Sequence, residues 1–357
     1  MSTRAQRLTA ALDKAGVDLV MVTNLTNIRY LTGFTGSNAL VLVGAGVREF
    51  LSDFRYTEQA QHEVPGEFSK LTVAQDLVSS VVEHLPNGNL TVGYEAEHMT
   101  VAALDRAREL FPARVQLRPT TRLVETLRLI KDEQEIKMIE AATKLADDAF
   151  RALLEGGLKG RTERELALTL EHDMRLRGAS GPSFDSIIAA GAHAALPHAQ
   201  PRDVKVTSGQ LVVIDWGAKL GGYCSDCTRT VAVGEPDSEA REAYELVLGA
   251  QVAGVAQIGD GGDCRAIDKL VRDVIYGAGH AEHYGHGLGH GVGLDIHEAP
   301  TLSFRSSDTL RTGQVVTVEP GVYVPGRFGV RIEDLMVVGE VQSRVLTGVS
   351  KDLQIVD

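Results

Sequence analysis

Residues 285–298 read GHGLGHGVGLDIHE and set His286, His290 and His297 among glycines. His280 and His283 stand just upstream, so five of the chain's eleven histidines fall within 280–297. Three chemistries suit such a stretch: a histidine-only metal cage, a glycine loop cradling phosphate, or one part of a site completed elsewhere in the chain. The phosphate loop fails, because glycines at 285, 287, 289, 291 and 293 alternate and fit no GxGxxG or GK[ST] frame. The HExxH zinc helix fails too: Ala299, Pro300 and Thr301 follow His297-Glu298, and Pro300 would break the helix. Alternating glycines suit a strand or loop where backbone comes close to something. On a strand His286 and His290, four residues apart, share a face.

Acids in apolar strands are the natural partners. Asp215 closes LVVID and Glu319 closes VVTVE. An ionised carboxylate at the end of a buried strand is costly unless it is paired or bound to metal. GQLVVIDWG (209–217) and GQVVTVEPG (313–321) echo each other at an offset of 104, and each is followed by a strand with a second acid, Asp226 or Glu333. That repetition suggests two related halves facing each other. A turn centred on Leu220–Gly221 would put Asp215 opposite Asp226, and one centred on Gly326 would put Glu319 opposite Glu333. Directly opposed side chains lie about 4.5–5.5 Å apart at Cβ, so each acid pair needs a cation. Four carboxylates can hold two divalent ions that share an activated water, and the histidines offer a neutral ligand. Cys224 and Cys227 flank Asp226 in a CxxC, but residues three apart on a strand point to opposite faces, which favours packing over joint chelation.

The elements that carry these residues fall into two regions. Residues 1–122 alternate short strands (LVMVT, ALVLVG, REFLSD, LTVGYE, VQLRPT) with helical patterns (5–15, RYTEQAQ, DLVSSVVEHL, 99–112), a small α/β domain on a mixed or parallel sheet. Residues 123–133 are more polar and read as a linker. In 134–357 a helix face of Ile136, Ile139, Ala142, Leu145, Ala149 and Leu153 ends at Gly156-Gly157. Further helices are expected at 161–177, 238–256 and 264–276. Strand runs SIIAAG, LVVIDWG, CTRTVAV, VVTVEPG and RIEDLMVV pair in hairpins, which makes the region α+β rather than doubly wound.

A chain of 357 residues suits two domains. A net charge of −12 and the absence of a long basic stretch argue against nucleic acid. The apolar runs fall short of the ~20 residues of a membrane span, and the N-terminal residues lack a secretion signal. Three cysteines make no disulfide framework. A cytoplasmic location is expected.

Asp215, Asp226, His290, Glu319 and Glu333 resemble, in order, spacing and context, the metal ligands of the pita-bread metallopeptidases. The contexts are VVIDWGAKLGGYCSDCTRT, GHGLGHGVGLDIHEAP, TVEPGVYV and GVRIEDLMVV; PHAQP around His198, with YLTGFTGSNA and SDFRYTEQA, resembles the Xaa-Pro peptidase branch. The resemblance covers nearly the whole chain. It implies an α+β pita-bread catalytic domain behind a smaller creatinase-like α/β domain, and hydrolysis of Xaa-Pro bonds by a hydroxide bridging two metal ions. Asp215 and Asp226 would hold one ion, with Asp226 also touching the second. His290 would complete the second ion, and Glu319 and Glu333 would reach across. Glu319 would shuttle the proton. His198 and His297 would meet the substrate and steady the oxyanion, and His286, Tyr323 and Arg331 would line the site. A hard, oxygen-rich ligand set favours Mn²⁺ and tolerates Co²⁺ or Zn²⁺. A homodimer is expected from the same resemblance. His280 and His283 match no position of the pattern.

Within that branch, creatinase lacks the metal ligands, and methionine aminopeptidase normally lacks the N-terminal domain. Many prolidases resemble one another in carrying an arginine four residues after the histidine matching His297; here Thr301 stands there. Threonine cannot neutralise the carboxylate of a dipeptide. The expectation is therefore an Xaa-Pro aminopeptidase acting on longer peptides with proline second, with a prolidase as the alternative and a non-catalytic binder on the same fold as the rival class.

Overall fold

The computed structural model describes residues 2–357 and divides into two compact units, residues 1–128 and 129–357. The first unit is built on one six-stranded mixed sheet. Its strands are β1 (Leu19–Val22), β2 (Ala39–Gly44), β3 (Val47–Asp53), β4 (Ser69–Val73), β5 (Leu90–Glu95) and β6 (Val115–Thr120), in the order β4-β3-β2-β1-β5-β6. Strands β1, β5 and β6 run parallel to one another, as do β3 and β4, and β2 runs against both its neighbours. Every residue of β1 and β2 is buried, as their continuous apolar runs require. The helices are α1 (Arg4–Ala15), α2 (Leu25–Thr32), α3 (Thr57–Glu63), α4 (Leu77–Val81), α5 (Val101–Leu110) and α6 (Leu123–Arg128). Residues 123–128, within the stretch read as a linker, are thus helical. Neither α2 nor β4 was anticipated.

In the second unit the helices α7 (Glu133–Glu155), α8 (Glu163–Leu176), α9 (Ser238–Val255) and α10 (Cys264–Gly277) begin at Asp or Thr caps that accept hydrogen bonds from their first-turn amides. The strands follow as β7 (Gly181–Pro182), β8 (Ile187–Ala190), β9 (Gln210–Trp216), β10 (Ala218–Leu220), β11 (Tyr223–Cys224), β12 (Cys227–Val233), β13 (Gly289–Gly291), β14 (Glu298–Leu302), β15 (Val315–Val318), β16 (Gly321–Val324), β17 (Phe328–Arg331), β18 (Asp334–Val337), β19 (Arg344–Val345) and β20 (Ile355–Val356). Two main sheets result, β20-β12-β9-β8 and β14-β13-β15-β18-β19. Helices α7 and α8 cover the first sheet; Phe150 stacks on Trp216 at 4.2 Å, and the Trp216 indole donates to the Ala146 carbonyl. Helices α9 and α10 cover the second, with Tyr244, Val247, Val271 and Ile275 buried against Val316, Val318 and Met336. The two echoing segments are β9 and β15, one in each sheet. Their hairpins meet where Glu333 N donates to Thr228 O and Arg331 N to Thr230 Oγ1. Among the described residues no helix is long and apolar enough to cross a membrane.

Candidate active site

A cleft of about 520 Å³ in the second unit is lined by His198, Asp215, Asp226, His286, His290, His297, Glu319, Tyr323, Arg331 and Glu333, together with Phe184, Ile187 and Thr301. All the side chains singled out for chemistry in the sequence therefore meet in one place. His280 and His283 do not: they follow α10, with their Nδ1 atoms 3.1 Å apart.

The first hairpin departs from the expected register. Asp215 lies opposite Thr228, not Asp226. The turn explains the shift. Gly221 and Gly222, at φ +56° and +90°, are its central residues, between the paired Leu220 and Tyr223. Two successive positive φ values are what a tight two-residue hairpin turn demands. The turn centre moves by one residue, the partner of Asp215 therefore shifts by two, and Thr228 takes the place opposite it. The second hairpin keeps its expected register. Val318 pairs with Asp334 and Gly321 with Arg331, so Glu319 and Glu333 face each other across the break between the two ladders.

His290, on β13, brings its ring to these acids. Its Nδ1 donates to the Gly291 carbonyl at 3.0 Å, which leaves the Nε2 lone pair free. That Nε2 lies 3.5 Å from Asp226 Oδ2 and 3.4 Å from Glu319 Oε1. Ligand-type atoms of Asp226, His290 and Glu333 lie within 4.8 Å of one another. The His297 ring stands edge-on to His290, with centroids 4.5 Å apart. Arg331 ties the other wall together. Its Nη2 donates to Asp215 Oδ2 at 2.5 Å, Nη1 to Tyr323 Oη and the Pro197 carbonyl beside His198, and Nε to Thr228 Oγ1. Tyr323 Oη in turn lies 3.0 Å from His286 Nε2.

Thr228 and Thr317 touch the side chains of the cleft, and the sequence reading missed both. Thr228 Oγ1 donates to Glu333 Oε2 at 2.8 Å, and Thr317 Oγ1 accepts from His290 N at 3.1 Å. The available signal was a hydroxyl inside an apolar strand, which must find a partner once buried. The three cysteines are buried and free. Burial pushes Cys224 up to about 11 and Cys264 up to about 12, so these thiols stay protonated in the metal-free chain.

The electrostatics are those of a crowded anion site. Burial, then repulsion from Glu333, Asp215 and Glu319, raises Asp226 well above its usual range. Burial and then Glu319 and Asp215 do the same to Glu333. Burial lifts Glu319 to about 8, with Arg331 opposing. Burial also lowers His290 to about 4, keeping it neutral. Asp215 Oδ1 is buried and accepts no hydrogen bond. Four carboxylates, one neutral imidazole and an unsatisfied carboxylate oxygen are the donor set a pair of divalent cations would satisfy.

Residues 137–340, more than half of the chain, match the model of metallopeptidase family M24. The chain belongs to this family. Residues 4–130 match the creatinase/prolidase N-terminal domain. The fold is accordingly the α+β pita-bread domain of the M24 metallopeptidases, preceded by the smaller creatinase-like α/β domain. Relatives similar over essentially the whole chain include the following three. An Xaa-Pro dipeptidase structure from Bacillus anthracis is 40% identical, covers 99% of each chain and superposes with a TM-score of 0.95. An Xaa-Pro dipeptidase of Pyrococcus furiosus is 34% identical over 99% of this chain and 100% of its own. An X-Pro aminopeptidase structure from Thermotoga maritima is 34% identical, covers 99% of this chain and 100% of its own, and has a TM-score of 0.90. The chain is thus an M24 peptidase of the Xaa-Pro branch.

Proposed function

We propose that this M24 peptidase hydrolyses Xaa-Pro dipeptides, using two divalent ions. What carries the reading is the meeting of Asp215, Asp226, His290, Glu319 and Glu333 in one cleft, in a chain whose full-length relatives include two named Xaa-Pro dipeptidases. Those names favour the dipeptide over the longer peptides expected from Thr301.

The five side chains would hold the ions, and their hardness favours Mn²⁺, with Co²⁺ or Zn²⁺ tolerated. Bound there, the ions would lower the pKa of a water and polarise the scissile carbonyl. The chain's own residues do the rest. Hydrolysis adds water across the C–N bond, with hydroxyl going to the carbonyl carbon and a proton to the prolyl nitrogen. Glu319, a carboxylate lining the cleft 3.4 Å from His290 Nε2, is placed to carry that proton. His198 and His297 line the cleft where the carbonyl oxygen gains charge, and would donate to it. Arg331 holds Asp215 and Tyr323 in place, and His286 and Tyr323 close the wall beside them.

One observation favours the aminopeptidase reading. Arg331 is the only Lys or Arg among the residues lining the cleft, and its hydrogen bonds end on Asp215, Tyr323, Thr228 and the Pro197 carbonyl. A dipeptide's terminal carboxylate meets no uncommitted cation there. The deciding measurement is kcat/KM for Leu-Pro against Leu-Pro-Gly with Mn²⁺. A higher value on the dipeptide is expected. A tenfold preference for the tripeptide would transfer the assignment to an aminopeptidase, and no hydrolysis of either would overturn both.

A further inference from the structure

Helix α10 carries a buried ion pair that the chemistry above does not use. Asp268 and Arg272 sit at i and i+4, one above the other on the helix face. Asp268 is fully buried and Arg272 is 8% exposed. Arg272 Nε and Nη2 reach the two Asp268 oxygens at 3.0 and 2.8 Å. A buried pair is a poor way to stabilise a helix, since desolvation offsets the attraction. What distinguishes this one is where its remaining hydrogen bonds go.

Three of the four end on the backbone of the segment leading to His290, and the fourth, from Arg272 Nη1 to Tyr276 Oη at 3.3 Å, stays on the helix. Arg272 Nη1 donates to the Tyr284 carbonyl at 3.3 Å and Nη2 to the His286 carbonyl at 2.7 Å. Asp268 Oδ1 accepts the Leu288 amide at 3.1 Å. The pair thus grips alternate residues of the strand-like approach to His290. The guanidinium is held between two rings, 4.5 Å from the Tyr284 centroid and 5.1 Å from Phe304.

From His286 the contacts continue into the cleft. His286 Nδ1 donates to the Gly287 carbonyl at 2.8 Å, so Nε2 accepts from Tyr323 Oη. Tyr323 accepts from Arg331 Nη1, and Arg331 Nη2 donates to Asp215. The line runs unbroken from α10 to the carboxylate on the opposite hairpin. We infer that Asp268 and Arg272 are positioning residues: they fix the backbone of 284–288 and, through His286, Tyr323 and Arg331, the orientation of Asp215.

The inference rests on the peptidase reading for its effect on turnover, and on hydrogen exchange for its geometry. In full-length Arg272→Ala, kcat on Leu-Pro with Mn²⁺ should fall by about 10-fold, the low end of the range for removing a direct outer partner of a metal ligand, because Arg272 acts three contacts beyond Arg331. KM should change far less, because the groups lining the cleft are kept. Guanidinium at low millimolar concentration should restore part of kcat by occupying the slot between Tyr284 and Phe304. Arg272→Lys should not restore it, since one ammonium cannot reach Asp268 and two carbonyls together. Amide exchange over 284–290 should quicken while other segments stay as in the wild type. If Arg272→Ala does not fold, the near-isosteric Asp268→Asn replaces it and should show the same loss of kcat and the same local exchange. A folded variant with wild-type kcat, or activity lost without rescue and without local exchange, would overturn the inference. If the wild type cleaves no Xaa-Pro peptide, the functional reading fails instead. The exchange over 284–290 then decides the clamp alone, and unchanged rates would overturn it.

Discussion

Glu319 sits among the acids and the imidazole of the cleft. It faces Glu333, lies 3.4 Å from His290 Nε2 and is lifted to about 8 by burial. The substitution Glu319→Gln separates chemistry from fold. Glutamine keeps the shape but can neither carry a proton nor bind a cation strongly. Turnover should drop by at least about 100-fold, the lower end of what positioned acid–base groups contribute. The metal-free fold should not suffer. A carboxyl whose folded pKa exceeds its unfolded value stabilises the fold at low pH and loses that contribution as pH rises through the folded value. Above about pH 8 the ionised Glu319 is a cost, so the Gln variant, stripped of metal, should melt higher than the wild type there. Calorimetry at pH 8.5 checks this, and a fully active variant or one that melts lower would contradict the assignment.

The elements of the cleft work by close backbone approach. A Cβ on Gly289 would lie 2.1 Å from the Thr317 carbonyl oxygen of β15, so only glycine lets β13 lie where it does. Gly289→Ala should destabilise by about 1–3 kcal/mol, the usual cost of forcing atoms into a packed site. It should also weaken Mn²⁺ binding, because the neighbouring His290 amide is held by Thr317. Gly66→Ala, where a Cβ meets nothing within 4 Å, is the control and should alter neither melting nor metal affinity. The alternating glycines were legible in the sequence as a close approach, and so were the long helices and both echoing strands. The register of the first hairpin was not. Leu220–Gly221 and Gly221–Gly222 are both acceptable turn centres by composition, and only the pair of positive φ values chooses between them. Helix α2 was lost for a related reason. Its segment LTNIRYLT mixes β-branched and polar residues, and its stability comes from the Asn24 cap, the left-handed Gly33 and burial of Asn27 against Glu95 and Glu125, which are distant in sequence. Arg331 was legible as a site residue, but its bond to Asp215 spans 116 positions and needed the fold.

At the scale of the whole molecule these acids set how stability varies with pH. Burial raises Asp226, Glu319 and Glu333 above their usual ranges in the metal-free chain. In the unfolded chain the same groups ionise at ordinary values. Between those limits the folded form holds more protons, and its stability falls as pH rises. Asp334 has the opposite sign: despite burial, Arg229 and Lys351 keep it below its usual range, so its contribution is lost as pH falls. A net charge of −12 adds self-repulsion that also grows with pH, and it would blur any single melting curve. The difference between metal-loaded and metal-free protein removes that background. Divalent ions bind the ionised carboxylates, so their stabilisation should grow with pH over the window in which the metal-free site is still protonated. The gap in Tm between Mn²⁺-saturated and chelator-treated protein should therefore widen steadily from about pH 5 to pH 8. Titrating Mn²⁺ into the metal-free protein at pH 7 should release protons, read as heats that scale with the ionisation enthalpy of the buffer. A gap that stays constant or narrows over that range, with heats indifferent to buffer, would mean that the raised carboxyls are not where the ions bind.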